Sequence, residues 1–235
     1  MTGPNATVLC VMLTRDRPEM ARKAIECFRS QRYVNKRLLV LDTGSESCGY
    51  LGDYDDVRHD WANLSLQSWT IGHLRNEAIA RAGLCDIVVH WDDDDYSDPH
   101  RLAEQVELLG ASGADVVGYN SALFWDRRQG AFAGAWLYRH PDPTYCLGTS
   151  LCYPRATWSK KPFEDTSRGE DRLFINGLKT SGVPSVGLGA GTAFEPRMIA
   201  RIHGGNTCSR IDPSVPDQWC RAPEFDEHCK ERMKL

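Results

Sequence analysis

The chain has 235 residues, of which 41% are hydrophobic, and its 28 basic and 32 acidic side chains leave a net charge of −4. This length allows one large domain, or one domain with an appendage, and excludes a multidomain machine; the apolar fraction excludes disorder as the main state. So small a net charge provides no overall field to attract nucleic acid or an anionic membrane.

The N-terminal residues have neither the basic start nor the cleavage pattern of a signal peptide, and no apolar stretch approaches a membrane span, so a cytoplasmic protein is expected. Residues 7–13, TVLCVML, read as a strand, and Ala21, Ala24, Ile25 and Phe28 recur at helical spacing after Pro18. Leu38–Leu41 is a second apolar run that stops at the turn formers Asp42 and Gly44, which completes a βαβ unit of a parallel sheet. A helix follows over 72–83, closed by Gly83, then a strand over 86–91 that runs straight into Asp92, Asp93, Asp94 and Asp95. Asp98-Pro99 opens another helix, and Ala114–Tyr119 is a fourth strand. From residue 121 the pattern changes to an aromatic hairpin with Arg127 and Arg128 at its turn. Gly169–Thr180 reads as a short helix and Met198–His203 as a short strand, whereas the Pro-rich, charged segment from 212 is expected to wrap the surface or stay partly mobile. Nine cysteines without C-x-x-C spacing read as scattered thiols.

Four adjacent carboxylates repel one another and raise each other's pKa unless a cation sits among them. Hard divalent cations prefer oxygen ligands, and the carboxyl ends of parallel strands are where open α/β sheets bind ligands. A solvated acidic turn leading into the helix at Pro99 is the simpler alternative, although three charges beyond Asp98 exceed what a helix start needs. If the extended geometry persists, Asp92 and Asp94 point one way and Asp93 the other. Glu170 and Asp171 follow Gly169 at a helix start, where they could serve as caps or as acid–base groups.

VVHWDDDDYSDPHRL resembles the D-x-D segment of family-2 glycosyltransferases with the GT-A fold. VLCVMLTRDRPEMARKAIECFRSQ is similar to that family's first strand and helix, LLVLDTGS to its second strand, and HLRNEAIARA to the helix before D-x-D. GTSLCYPRATW, GEDRLFINGL and ARIHGGNT resemble, in the same order, its acceptor-side strand, E-D motif and late strand, so that the likeness spans about residues 7–206. Two positions depart from the pattern: Thr43 replaces the second acid of V-D-D-G-S, and Arg15 stands where an aromatic residue is frequent.

The resemblance implies a mostly parallel α/β sheet flanked by helices, with a smaller acceptor-side hairpin layer. Residues 1–210 would form one domain, with a nucleotide-sugar half (1–120) and an acceptor half (121–210), followed by a tail (211–235). The implied activity is transfer of a sugar from a nucleoside-diphosphate donor, a UDP-sugar, to a hydroxyl of a glycan or of a modified nucleobase, with inversion. Thr14, Arg15, Asp42, Arg75, Asp92 and Asp93 would bind the donor. Asp94 and His203 would hold Mn2+ or Mg2+, the imidazole favouring Mn2+. Asp171 would be the general base and Glu170 its acceptor-orienting neighbour. A nucleotidyltransferase should carry a Gly-rich basic loop after the first strand, where TRDRPEM has no glycine. A non-catalytic binding module on the same fold would have no use for a base at 171.

Overall fold

Apolar strands that are covered on both faces must sit inside a sheet rather than at its edge, and the first half of the chain is built on that constraint. The structure is a computed structural model describing residues 5–52, 54–62, 69–128, 130, 132–185, 196–204 and 211–233. β1 (Val8–Thr14) leads into α1 (Pro18–Arg29), β2 (Lys36–Asp42), β3 (Val57–Trp61), α2 (Ile71–Arg81) and β4 (Ile87–His90). β1 lies between β2 and β4, and β3 flanks β2, all of them parallel. Alternate residues of β1 feed two cores: Val8, Cys10 and Met12 pack with α1, while Leu9 and Val11 pack with Leu74, Ala78 and Ile79 of α2. Thr70 caps α2 by accepting the His73 amide at 3.1 Å, and Gly83, at φ +77°, takes the left-handed turn beyond its end.

The chain continues through β5 (Tyr96–Ser97), α3 (Arg101–Ser112), β6 (Val116–Asp126), β7 (Gly134–Arg139), β8 (Cys152–Pro154), α4 (Arg155–Lys160), α5 (Glu170–Ile175), β9 (Thr180–Pro184), β10 (Met198–Ile202), β11 (Trp219–Arg221) and α6 (Asp226–Arg232). The path across the sheet is β11-β7-β6-β8-β4-β1-β2-β3, with β9 and β10 also paired to β6 and β5 paired to β10. The central strands are therefore parallel, and antiparallel pairing begins where β8 meets β4. The result is an α/β fold with a central parallel sheet flanked by helices and a hairpin, β6–β7, hydrogen-bonded into the same sheet.

Two local expectations change. The strand and hairpin arm expected on either side of Asn120 are one strand, β6, in which a register shift against β9 between Tyr119 and Ser121 absorbs the irregularity. The helix expected to reach 180 ends at Ile175, because Gly177 turns the chain at φ +78° and 180–184 joins the sheet as β9. The tail over 211–233 lies against the sheet, in keeping with the expectation that it wraps the surface: β11 pairs with β7, and α6 buries Cys229, with Met233 buried just beyond its end. No helix among the described residues is long and apolar enough to cross a membrane, and no disulfide joins two of the described cysteines.

Phe28 is fully buried and meets Trp91 edge-on, with centroids 6.0 Å apart and planes at 87°. Trp91 in turn donates its Nε1–H to Ala24 O at 2.9 Å, which fixes the chain as it leaves β4. Phe28→Ala should therefore cost about 3–5 kcal/mol in urea unfolding; a loss below about 1 kcal/mol would mean that this contact does not anchor the strand end.

Candidate active site

Because β1, β2 and β4 are parallel, their carboxyl ends share one rim of the sheet, and Thr14, Asp42 and the four aspartates lie along it. The chain leaves β4 through buried Trp91 and turns at Asp93–Asp94. Asp92, Asp94 and Asp95 each present a carboxylate oxygen within 4.8 Å of the others. Asp93 points elsewhere: it is 2% exposed, accepts the Thr14 hydroxyl at 2.7 Å, and faces Arg17 at 3.0 Å. Desolvation and the neighbouring Asp94 push Asp93 up to about 7, against the pull of Arg17 and Thr14. Asp95 joins the group because the turn brings it back. Its oxygens accept the Thr149 hydroxyl at 2.7 Å and the Arg201 amide at 3.1 Å, and burial still holds its pKa well above the usual carboxylate range.

β10 runs parallel to the outer half of β6 and delivers His203, whose Nε2 lies 2.9 Å from Asp94 Oδ2. Arg17 NH1 reaches the same oxygen at 3.2 Å. Three carboxylates with an adjacent imidazole form an oxygen-rich donor set that fits Mg2+ or Mn2+.

Asp171 stands half-buried at the start of α5, pressed against the turn at 148–150. A Cβ on Gly148 would fall 1.9 Å from Asp171 Oδ2, so the absence of a side chain there makes room for the carboxylate. The Gly148 carbonyl accepts from His90 Nδ1 at 2.7 Å, which leaves His90 Nε2 to accept the Tyr153 hydroxyl at 3.2 Å. Burial and the Arg75 charge hold the His90 pKa well below its usual value, in keeping with this neutral tautomer. Arg101, fully buried, donates to the carbonyls of His90 (2.8 Å) and Thr149 (3.0 Å) and to Ser97 Oγ (2.7 Å). One short turn thus touches Asp95 on one side and Asp171 on the other, and a buried guanidinium ties it to the end of β4.

The remaining residues singled out from the sequence are arranged differently. Asp42 is 1% exposed, and its oxygens accept the Gly44 amide (2.8 Å), the Cys48 amide (3.1 Å) and His59 Nε2 (3.1 Å), all within the elements around β2. Arg75 is buried beside Glu170, Nε to Oε1 at 3.5 Å, and burial raises the Glu170 pKa against the opposing effect of Arg75. Arg15 projects outward, 3.8 Å from Asp16. At the hairpin, Arg128 grips Asp126 with two nitrogens, Phe124 and Trp136 are buried, and Arg127 and Phe132 are exposed. Asp95 belongs to the acidic run that the sequence marks, although no separate role is assigned to it there, whereas Arg17, Gly148, Thr149 and Arg101 carry no such mark. The one available signal was the need for a cation among the aspartates, which Arg17 answers in part.

Residues 9–127 match the model of glycosyl transferase family 2. Among solved structures, residues 1–349 of TarS from S. aureus in complex with UDP superpose with a TM-score of 0.62 at 14% identity, over 83% of this chain and 60% of that one. The same protein in complex with UDP-GlcNAc gives 0.59 at 14%, over 88% and 62%. The mannosyltransferase PcManGT from Pyrobaculum calidifontis, in complex with GDP-Man and Mn2+, gives 0.56 at 13%, over 77% and 55%. The chain therefore spans less than two thirds of the length of these structures, and the likeness is one of fold, the GT-A arrangement. No curated protein matches the chain.

Thr149→Val removes the only side-chain hydroxyl donated to Asp95 among the described residues while preserving shape. It should lower stability in EDTA by about 1–3 kcal/mol, the cost of leaving a desolvated carboxylate without its partner. A change under about 0.5 kcal/mol in urea unfolding would show that the turn is not held through Asp95.

Proposed function

The chain belongs to glycosyl transferase family 2, and from that premise we propose that it transfers a sugar from a nucleoside-diphosphate donor, a UDP-sugar, to an acceptor hydroxyl in a single displacement that inverts the anomeric carbon. The observation that carries this reading is the placement of Asp92, Asp94 and Asp95 on one side of the 148–150 turn and Asp171 on the other. The UDP and UDP-GlcNAc bound by TarS, and the GDP-Man and Mn2+ bound by PcManGT, support a nucleotide-sugar donor and a divalent cation.

Asp92, Asp94 and Asp95, with His203, would hold Mn2+ or Mg2+. A divalent cation bound there supplies positive charge against the departing nucleoside diphosphate. The nucleoside lodges over the ends of β1 and β2, where Thr14, Arg15 and the loop pinned by Asp42 lie. Asp171 accepts the proton of the attacking hydroxyl. Its neighbour Glu170, buried against the fixed cation Arg75, would orient the acceptor. On the acceptor side, His140 and Tyr145 stack at 3.8 Å with planes 17° apart, and Tyr145 feels the charge of Asp171. Aromatic rings beside the base offer a stacking face to a glycan or to a modified nucleobase alike.

A panel of nucleotide sugars incubated with the protein tests the reading without knowledge of the acceptor. Slow hydrolysis of one donor is expected with Mn2+ and none with EDTA; equal hydrolysis in both would remove the metal from the reaction. Asp171→Asn should lower that hydrolysis by about 10²–10⁴ through loss of the base, and UDP affinity measured by calorimetry should stay unchanged. A matching loss of UDP affinity would reassign Asp171 to donor binding.

A further inference from the structure

Arg17 is in the wrong place for its helix. It occupies the N-cap of α1 at φ −132° and makes no side-chain capping bond, in a position that favours Ser, Thr, Asp or Asn. A cation there also faces the positive end of the helix dipole. Its contacts lie instead on the acidic rim: NH2 is 3.0 Å from Asp93 Oδ1 and NH1 is 3.2 Å from Asp94 Oδ2. The Asp94 oxygen that NH1 touches is also the one His203 Nε2 approaches at 2.9 Å.

These contacts place Arg17 in competition with any metal ion at the cluster. A divalent cation coordinated by Asp94 Oδ2 disfavours a guanidinium on the same oxygen, because the two positive charges repel and His203 Nε2 crowds that oxygen as well. NH1 is thereby driven to withdraw. NH2 need not, since Asp93 lies outside the group of three carboxylates and its other oxygen is fixed by the Thr14 hydroxyl at 2.7 Å. The side chain is 32% exposed, so it has room to turn about this anchor. On turning, NH1 remains on the rim, where the diphosphate of the donor must lie if the proposed function holds, and a guanidinium fork suits phosphate oxygens.

Resting on that reading of the cluster, we propose that Arg17 is an internal counter-cation that neutralises the aspartates before the metal arrives, is displaced from Asp94 by the metal, and then binds the donor diphosphate. Metal and nucleotide binding are thereby coupled through one side chain. Arg17 hinders the metal when it binds alone and assists the nucleotide once the metal is present.

Calorimetry with MnCl2 alone, and with UDP in saturating MnCl2, on the wild type, Arg17→Gln and Arg17→Lys tests this directly. In Arg17→Gln, affinity for Mn2+ alone should rise by about tenfold or more, the worth of the charged hydrogen bond that no longer has to break. UDP affinity in Mn2+ should fall by a similar factor. Arg17→Lys keeps the charge without the fork and should lie between the two for both ligands. Opposite signs are what a merely structural role would not produce, since a disturbed rim weakens both ligands together. Mn2+ affinity that falls or stays level in Arg17→Gln while Arg17→Lys matches the wild type overturns the proposal, as does UDP affinity untouched by either change. A wild type that binds no Mn2+ with or without UDP would instead sink the cation-site reading itself, and the inference with it.

Discussion

Four successive aspartates at the end of a buried strand repel one another, and much of the surrounding structure serves to contain that repulsion. At an effective dielectric near 20, two charges 4 Å apart still interact by about 4 kcal/mol, so the cluster could not persist on hydration alone. The carboxylates draw partners from separate parts of the chain: Asp93 from Thr14 and Arg17 beyond β1, Asp94 from the same Arg17 and from His203 at the end of β10, and Asp95 from Thr149 and the Arg201 amide. The sheet order follows from the same need, since β10 must lie along β6 and cross β5 for His203 to arrive at Asp94.

The positions of these groups are set by a second layer that never touches the rim. Trp91 is locked to Ala24 and Phe28 of α1, and Arg101, itself fully buried, joins the end of β4 to the 148–150 turn through two carbonyls. A buried guanidinium bonded to neutral acceptors is a costly way to gain stability. It is an effective way to fix a distance, and the distance it fixes is the one between the acidic cluster and Asp171. Arg201 extends the network outward, with Nε on Asp94 O at 3.2 Å and NH2 on Met233 O at 3.1 Å, so the end of α6 is tied to the same rim.

The parallel half of the fold was legible because its signals are local: the spacing of Ala21, Ala24, Ile25 and Phe28, the turn formers after Leu41, and the unbroken apolar run before Asp92. β3, β11 and α6 left no such mark. β3 is an edge strand whose VRHDW has too few apolar residues to mark a buried strand, and β11 exists only through its pairing with a strand some 80 residues earlier. In the candidate site, Asp92 and Asp94 could be singled out from residue type and position at a strand end, and His203 from the resemblance of ARIHGGNT to the family's late strand. Arg17 and Thr149 could not, because each meets its aspartate across 77 and 54 residues of chain and neither lies in a local pattern that marks it. Asp42 and Arg75 illustrate the converse: both sit where a ligand-binding group belongs, yet their described partners belong to the chain itself, and only coordinates reveal such internal pairing.

The central claim is that repulsion within this cluster is relieved by a divalent cation during turnover. The most direct measurement is the anomalous difference density of a crystal soaked in Mn2+ and UDP, collected near the manganese edge. A peak among the carboxylates of Asp92, Asp94 and Asp95, with Arg17 NH1 moved off Asp94, is the expected result. Absence of a peak there at full nucleotide occupancy, with Arg17 and His203 still seated on Asp94, would contradict it.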